Sequence, residues 1–225
     1  MTGFYESQVR MFVSVDCIVF GFDGDRLMVL IGHRRMDPGR GQWSLYGGFV
    51  RADECLDDAA KRVLHDLTGL DDPYMKQVGA FGNVDRDPGE RVISVAYYSM
   101  INVGDYDESS LKQHGLQWVP IDSLPNMYSD HRAMIATARR MLQRRFSHEP
   151  IGFNFLPDMF TLTNLQHLYE AVYGEEVDKR NFRKKVKEMT FIQNTGLIDK
   201  TASKRGAGLY TFNSREYDKN ANFKL

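Results

Sequence analysis

Residues Gly48 to Leu70 read GFVRADECLDDAAKRVLHDLTGL. A glycine opens a polar loop, an amphipathic run extends from Leu56 to Leu67, and Gly69 suits the left-handed residue that ends a helix. Positions 63, 66 and 67 stand at i, i+3 and i+4, so the spacing places them on one helix face. That face carries Val63, Asp66 and Leu67. A hard divalent cation takes several oxygen ligands, and Val63 and Leu67 supply none. The stretch therefore predicts a loop–helix–loop whose helix face offers Asp66 as its one oxygen ligand among positions 63, 66 and 67.

Around this helix the chain alternates. Val13 to Phe22 (VSVDCIVFGF) and Arg26 to Ile31 form a predicted hairpin turning at Asp23-Gly24-Asp25. Asp37-Pro38-Gly39 marks a turn, and Trp43 to Phe49 reads as a strand entering the glycine loop. Met75 to Phe81 and Arg91 to Ile101 are further strands, and Trp118 and Val119 begin a last short one. Ser129 to Phe146 predicts a helix, with Ala133, Met134, Ala138, Met141 and Leu142 at near-helical spacing. Alternating strands and helices give an α/β class for residues 1–148, a unit that ends with a linking helix.

After His148-Glu149-Pro150 the pattern changes, and residues 149–225 read as a second unit. Ile151 to Leu156 is a short extended run. Leu162 to Tyr173 is a helix, with Thr163 as its cap and Gly174 at its end. Asp178 caps a second helix, Lys179 to Met189. Two short helices about a tight turn have the outline of a helix-turn-helix. Strand-like Phe191 to Asn194 and Gly208 to Phe212 flank the basic loop Ile198 to Ala207, which completes the order of a winged helix.

Composition excludes several classes. No run approaches the roughly 18 apolar residues of a membrane span. The opening MTGFYESQVRMF lacks the apolar core of a signal peptide. Cys17 and Cys55 show no C-x-x-C spacing, and the six histidines are scattered. A cytoplasmic protein without cofactor or metal is expected. The net charge of −1 hides an asymmetry, −8 over residues 1–130 and +7 over 131–225. An acidic unit followed by a basic one points to two different partners.

The basic charge concentrates on one helix. Lys179, Arg180, Arg183, Lys184 and Lys187 share a face, and Phe182 and Val186 anchor the opposite one. A recognition helix needs this division between a buried stripe and exposed donors. Arginine can grip guanine with two bonds, and Asn181 can do so with adenine. Ser203, Lys204 and Arg205 in the loop are candidates for the backbone or minor groove. A merely solvated basic face is the alternative.

The glycine-helix stretch resembles the signature of the Nudix hydrolases, with Gly48, Glu54, Arg62, Leu64, Gly69 and Leu70 on the pattern. Val63, Asp66 and Leu67 stand where that family has glutamates that hold magnesium or manganese against a diphosphate. The resemblance implies an α/β/α sandwich. Both halves together resemble the Nudix-related transcription regulators, through WSLYGGFV, DDAAKRVL and FGNVDRDPGERVISVAYY, and through FTLTNLQHLYEAVYG, DKRNFRKKV and SKRGAGLYTFN. That family joins a Nudix-like sensor to a winged helix. It includes repressors of NAD metabolism that sense ADP-ribose and sugar-responsive regulators, notably of L-arabinose use. The eroded box is more like the sugar branch.

Phe81 to Arg91 (FGNVDRDPGER) is the candidate pocket wall, with Asp85, Arg86, Asp87, Glu90 and Arg91 in one turn. Mixed carboxylates and guanidiniums suit a polyhydroxylated ligand, because each hydroxyl both donates and accepts. Trp43, Tyr46 and Phe81 are candidates to stack on sugar faces, and Arg34 and Arg35 complete the set. A surface turn with local salt bridges is the alternative. The expected protein is a homodimeric regulator that binds a palindromic DNA operator and senses a small sugar, L-arabinose foremost. The rivals are a Nudix hydrolase of ADP-ribose or a sugar nucleotide, with other carboxylates in a weak site, and an ADP-ribose-sensing regulator of NAD metabolism. A further rival is an interaction module whose winged helix binds protein.

Overall fold

A computed structural model describes residues 3–69, 74–105, 111–112, 115–201 and 206–219. The short α1 (Gly3–Glu6) precedes β1 (Phe12–Phe22), β2 (Leu27–His33), β3 (Trp43–Ser44) and β4 (Tyr46–Phe49). Then come α2 (Leu56–Thr68), β5 (Met75–Phe81), β6 (Val92–Asn102), β7 (Leu116–Pro120) and α3 (His131–Phe146). The strands form one sheet in the order β3-β2-β1-β6-β5, with β4 also on β1 and β7 also on β2. β1 runs parallel to β6 and antiparallel to β2 and β4.

Side-chain alternation builds two cores, because successive strand residues point to opposite faces. Val15, Cys17 and Val19 of β1 pack with Ala59, Ala60, Val63, Leu64 and Leu67 of α2. Ile18, Phe20 and Phe22 lie in the other cluster, with Met134, Ile135, Ala138 and Leu142 of α3. A helix on each face of a mixed sheet is the expected α/β/α sandwich.

Three local expectations need correction. The predicted strand Trp43 to Phe49 is broken at Leu45, because β3 pairs with β2 while β4 pairs with β1. The predicted helix from Ser129 starts at His131 instead, since Ser129 has φ 51° and cannot be helical. Ile151 to Leu156 is not extended but a 3-10 turn over Pro150–Phe155. The turn lets Gly152 lie against the Phe146 ring, where an added Cβ would sit 2.5 Å from Cζ.

The second unit has β8 (Phe160–Thr161), α4 (Leu162–Tyr173), α5 (Lys179–Glu188), β9 (Ile192–Asp199), β10 (Ala207–Phe212) and α6 (Ser214–Lys219). Its strands are ordered β8-β10-β9, the helix-helix-wing arrangement of a winged helix. Thr161, not Thr163, caps α4. Its hydroxyl accepts the Asn164 N–H at 3.1 Å, and its own N–H donates to the Asn164 side chain at 3.0 Å.

The two units share a core. The cluster that holds Phe20 and Met134 also holds Phe146, Phe155, Leu168, Val172 and Phe182. Phe146 is fully buried, with the Tyr169 ring edge-on at 4.8 Å and Phe155 at 6.4 Å. Gln143 Nε2 donates to the Val172 carbonyl at 2.9 Å, and Tyr173 Oη donates to the Gln143 carbonyl at 3.2 Å. Among the described residues no helix is long and apolar enough to cross a membrane.

Phe146→Ala removes a ring packed from both units. It is expected to lower stability by about 3–5 kcal/mol, the usual cost of emptying a buried phenylalanine site. Urea denaturation followed by far-ultraviolet dichroism and by tryptophan fluorescence measures it, with both signals shifting together. An unchanged midpoint contradicts the shared core.

Candidate effector cleft and nucleic-acid face

A cleft of about 250 Å³ opens between the β1/β4 pair, the segment after β2 and the start of α3. Its floor is made by a charge in an otherwise apolar strand. Asp16 of β1 is 7% exposed, and its Oδ2 accepts the Ser94 hydroxyl at 2.5 Å. Arg86 lies 3.8 Å from the same oxygen and grips Asp130 with two bonds, of 3.0 and 2.9 Å. Burial opposes the Arg86 charge, but Asp130, Asp16 and Asp87 together hold its pKa above the ordinary arginine value. Removing one partner of such a buried pair typically costs about 3–5 kcal/mol.

His131, the first residue of α3, completes the floor. Its Nδ1 accepts the Leu45 N–H at 3.1 Å, so in the neutral ring the proton sits on Nε2. That Nε2 faces Asp16 Oδ1 at 3.8 Å. Burial holds the His131 pKa below its ordinary value, against the opposing pull of Asp16 and Asp130. The ring is thus neutral in the folded state, and its contribution to stability is lost as pH falls below the unfolded value of about 6.5. Gly47 admits β4 to this floor, because an added Cβ would lie 2.3 Å from Asp16 Oδ1 and 2.6 Å from the Val15 carbonyl.

The rim is cationic and aromatic. The Arg34 guanidinium stacks 4.3 Å over the Tyr128 ring, and its Nε donates to the Pro38 carbonyl at 2.6 Å. Tyr128 Oη donates to Asp87 Oδ2 at 3.2 Å. Burial, then the Asp87 charge, raises the Tyr128 pKa, so the phenol stays protonated. A carboxylate acceptor below and guanidiniums above can hold a ligand that has hydroxyl donors at one part and anionic oxygens at another.

The sequence-predicted ligand residues divide. Arg34, Tyr46, Arg86 and Asp87 line the cleft, as does Arg35. Trp43 and Phe81 do not; both pack partly buried against the large core, and Trp43 stacks on His33 at 3.8 Å. Arg91 closes the base of its loop by donating to the Asn83 and Gly82 carbonyls at 3.0 and 2.9 Å. Asp85 and Glu90 are exposed and lie outside the lining. Sequence reasoning missed Asp16, Tyr128 and His131. The available signal was Asp16 itself, a lone carboxylate within VSVDCIVF.

The box residues explain the absent glutamates. Val63 and Leu67 are 2% and 3% exposed, packed against Val15, Cys17 and Val95. Asp66 does not share their face, as its side chain is 55% exposed; the buried arc takes in 60, 63, 64 and 67 and leaves 66 outside. Glu54 is committed to Arg62 through bonds of 2.6 and 2.9 Å and accepts the Arg51 N–H. The Arg62 contact, then the Arg51 N–H, draws its pKa down to about 2. Gly48 must lack a side chain, since a Cβ would come within 2.9 Å of Val63. Among the described residues no three His, Cys, Asp or Glu side chains are grouped to hold a metal. The residues present do not fit the divalent cation of the Nudix hydrolases.

The second candidate surface is α5. The Asp178 carboxylate accepts the Asn181 N–H at 2.7 Å and caps the helix. Phe182 and Val186 are buried, with Phe182 edge-on to Tyr169 at 5.7 Å. Lys179, Arg180, Asn181, Arg183, Lys184 and Lys187 are all exposed, as the spacing predicts. Ser203, Lys204 and Arg205 lie outside the described residues.

Comparison with known proteins matches both halves. Residues 11–138 match the NUDIX domain model, and residues 152–212 match the NrtR DNA-binding winged helix domain. The chain is 32% identical over 212 residues to the ADPR responsive transcriptional repressor NtrR of Acinetobacter baylyi, covering 92% of this chain and 84% of the relative. Over 131 residues it is 28% identical to an ADP-ribose pyrophosphatase of Methanocaldococcus jannaschii, covering 58% and 75%. The crystal structure of Shewanella oneidensis NrtR complexed with a 27mer DNA superposes with a TM-score of 0.79 at 27% identity, covering 95% of this chain and 99% of that one. The NUDIX domain of the same protein complexed with ADP ribose gives 0.50 at 26% identity, covering 61% and 92%. These comparisons do not support the L-arabinose branch expected from the eroded box. A sandwich with a buried apolar box and a winged helix with an exposed basic helix are joined through one core, and the chain belongs to the Nudix-related transcription regulators, a ligand-responsive DNA-binding repressor family of the NrtR type.

Proposed function

We propose that this protein is an ADP-ribose-responsive repressor that binds a palindromic operator as a homodimer and does not hydrolyse its effector. The observation that carries the reading is the fate of the box. Val63 and Leu67 are core residues, while the chain keeps full-length similarity to a repressor named for its ADPR response. A glutamate at either position would have to bury a charge among Val15, Cys17 and Ala60, which is prohibitive without a partner.

The cleft favours ADP-ribose over a neutral sugar. The motive for a sugar was the mixed-charge turn, yet Asp85, Glu90 and Arg91 lie outside the lining. The lining contains Arg34 and Arg35. Guanidiniums match the planar, bidentate geometry of phosphate oxygens. With no fitted metal, the diphosphate charge would fall to these two residues.

For DNA, α5 supplies exposed arginines and lysines along one face, opposite its buried anchors. Two copies related by a two-fold axis would present α5 to successive major grooves of a palindrome. The protein would then act where the chromosome is, in the cytoplasm.

ADP-ribose is expected to raise the melting temperature, by mass action worth about 2.7 kcal/mol at 100 times its dissociation constant. L-arabinose is expected to leave it unchanged, and the reverse pattern reinstates the sugar reading. Incubation with ADP-ribose and Mn²⁺ should yield no turnover; product formation in the usual range of about 1–10³ per second defeats the non-enzymatic reading.

Arg180→Ala combined with Arg183→Ala should abolish operator binding in gel shifts and leave the ADP-ribose response of the melting curve intact, since both side chains are exposed. Each lost base contact costs about 1–3 kcal/mol, whereas a lost phosphate contact weakens all sequences alike and flattens the salt dependence. Comparing operator with scrambled DNA at two salt concentrations separates these roles. Full-strength binding by the double variant removes α5 as the reader.

A further inference from the structure

We propose that Asp16 is the carboxylate that senses the effector, by accepting a ligand hydroxyl at Oδ1, and that His131 passes this engagement to helix α3 and so to the winged helix. The proposal rests on the ADP-ribose reading above and names the group within the cleft that couples binding to DNA release.

The first observation is an unfilled acceptor. The Asp16 side chain is 10% exposed and lines the cleft. Its Oδ2 is occupied by the Ser94 hydroxyl. Among the described residues no hydrogen bond reaches Oδ1. His131 Nε2 stands 3.8 Å away, beyond hydrogen-bond reach. Oδ1 is an acceptor open to the cleft, and a ligand donor can reach it. The ribose hydroxyls of ADP-ribose are donors of the right kind, and Arg34 and Arg35 at the rim suit the phosphates of the same molecule.

The second observation is what shares that oxygen. The Nε2–H that faces Oδ1 belongs to the first residue of α3. The other ring nitrogen is fixed by the Leu45 N–H at 3.1 Å. The preceding residue, Asp130, is clasped by Arg86, which also faces Asp16. The start of α3 therefore sits on the group that the ligand would engage. A hydroxyl bound at Oδ1 takes the lone pairs that the imidazole faces, and it shifts the balance among Asp16, Arg86 and His131.

The third observation is where α3 ends. Its 16 residues span about 24 Å and finish at Phe146, packed on Phe155 and Tyr169 of the winged helix. A helix packed along its length moves as a unit, so a change in its seat at His131 arrives at Phe146 as a change in the setting of α4 and α5. A ligand shifts such an equilibrium only through its different affinity for the two settings, and the coupling is reciprocal.

The test measures ADP-ribose affinity calorimetrically, with and without bound operator, in the full chain. The unaltered protein should bind ADP-ribose less tightly when operator is bound. Asp16→Asn should weaken ADP-ribose binding about 10- to 100-fold, the range for losing a hydrogen bond to a charged group. His131→Asn keeps an acceptor for the Leu45 N–H and lacks the Nε2–H. It should still bind both ligands, but the ratio between the two ADP-ribose affinities should collapse toward one. A merely structural role for His131 would lower stability without touching that ratio. A ratio at the parent value in His131→Asn, or undiminished ADP-ribose affinity in Asp16→Asn, overturns the proposal and leaves the repressor reading standing. If the unaltered protein does not bind ADP-ribose, the repressor reading fails and this proposal fails with it. Should either variant not fold, ¹⁵N-histidine spectra of the unaltered protein decide: the Nε2 resonance of the neutral buried ring must shift when ADP-ribose is added, and an unmoved resonance overturns the proposal.

Discussion

Everything in this molecule leans on one apolar stripe along α3. Met134, Ile135 and Ala138 belong to the cluster of Ile18, Phe20 and Tyr98 in the sheet, and the same cluster carries Phe146 to Phe155, Leu168 and Phe182. Two units joined by a bare linker would be expected to move independently. Here the linking segment is folded back instead, with Pro150–Phe155 coiled so that Gly152 meets the Phe146 ring. The hairpin turn between β1 and β2 reaches the second unit as well, through the Gly24 carbonyl 3.4 Å from His167 Nδ1. Burial on this scale makes the relative setting of the winged helix a property of the packing, and so something a ligand can change only by acting on that packing.

The box keeps the geometry of its loop and helix with Val63 and Leu67 in the core. Arg62 still binds Glu54 and the Phe49 carbonyl, at 2.6 and 3.1 Å, so the loop is still pinned to the helix. Gly48 is still required by the approach of Val63, and Gly69 still closes α2 with φ 70°. Those residues serve geometry. Positions 63 and 67 are core, and burying a valine or leucine side chain stabilises by roughly 1.5–3 kcal/mol. Stability and metal binding pull these positions in opposite directions, since a carboxylate there would forfeit that burial.

How far the sequence could be read follows from the range of the forces involved. The apolar runs of β1 and β6, the Asp23-Gly24 turn, the Gly69 and Gly174 stops and the Phe182/Val186 anchors are local patterns, and each led to the right element. The winged helix and the exposed basic face of α5 were legible for the same reason. The cleft was not. Its floor joins Asp16, Arg86 and Asp130, which are 70 and 44 positions apart in sequence, and no local period announces such a meeting. The turn from Asp85 to Arg91 drew attention by density of charge. Yet only its Arg86 and Asp87 face inward, and Arg86 is spent on Asp130. Trp43 and Phe81 looked available because aromatic rings suit a sugar, but the same rings suit a core and packed there.

The charge asymmetry closes the argument about partners. The first 130 residues carry −8 and the rest +7. That positive charge is shared between α3, with its five arginines, and α5, where Lys179, Arg180, Arg183, Lys184 and Lys187 are exposed. Duplex DNA would repel the acidic first 130 residues and attract the basic remainder. On the proposed function, encounter would be steered toward α5 over distances near the Debye length of about 8–10 Å. An anionic effector meets the opposite problem, a cleft in an acidic unit. Its entry depends on the local field of Arg34 and Arg35 at the rim, because the net charge of that unit works against it. Asp16 engages Arg86 and Ser94 through Oδ2 and leaves Oδ1 toward the cleft. Pairing of the floor charges with one another is what lets one cleft present an acceptor and a cationic lip together.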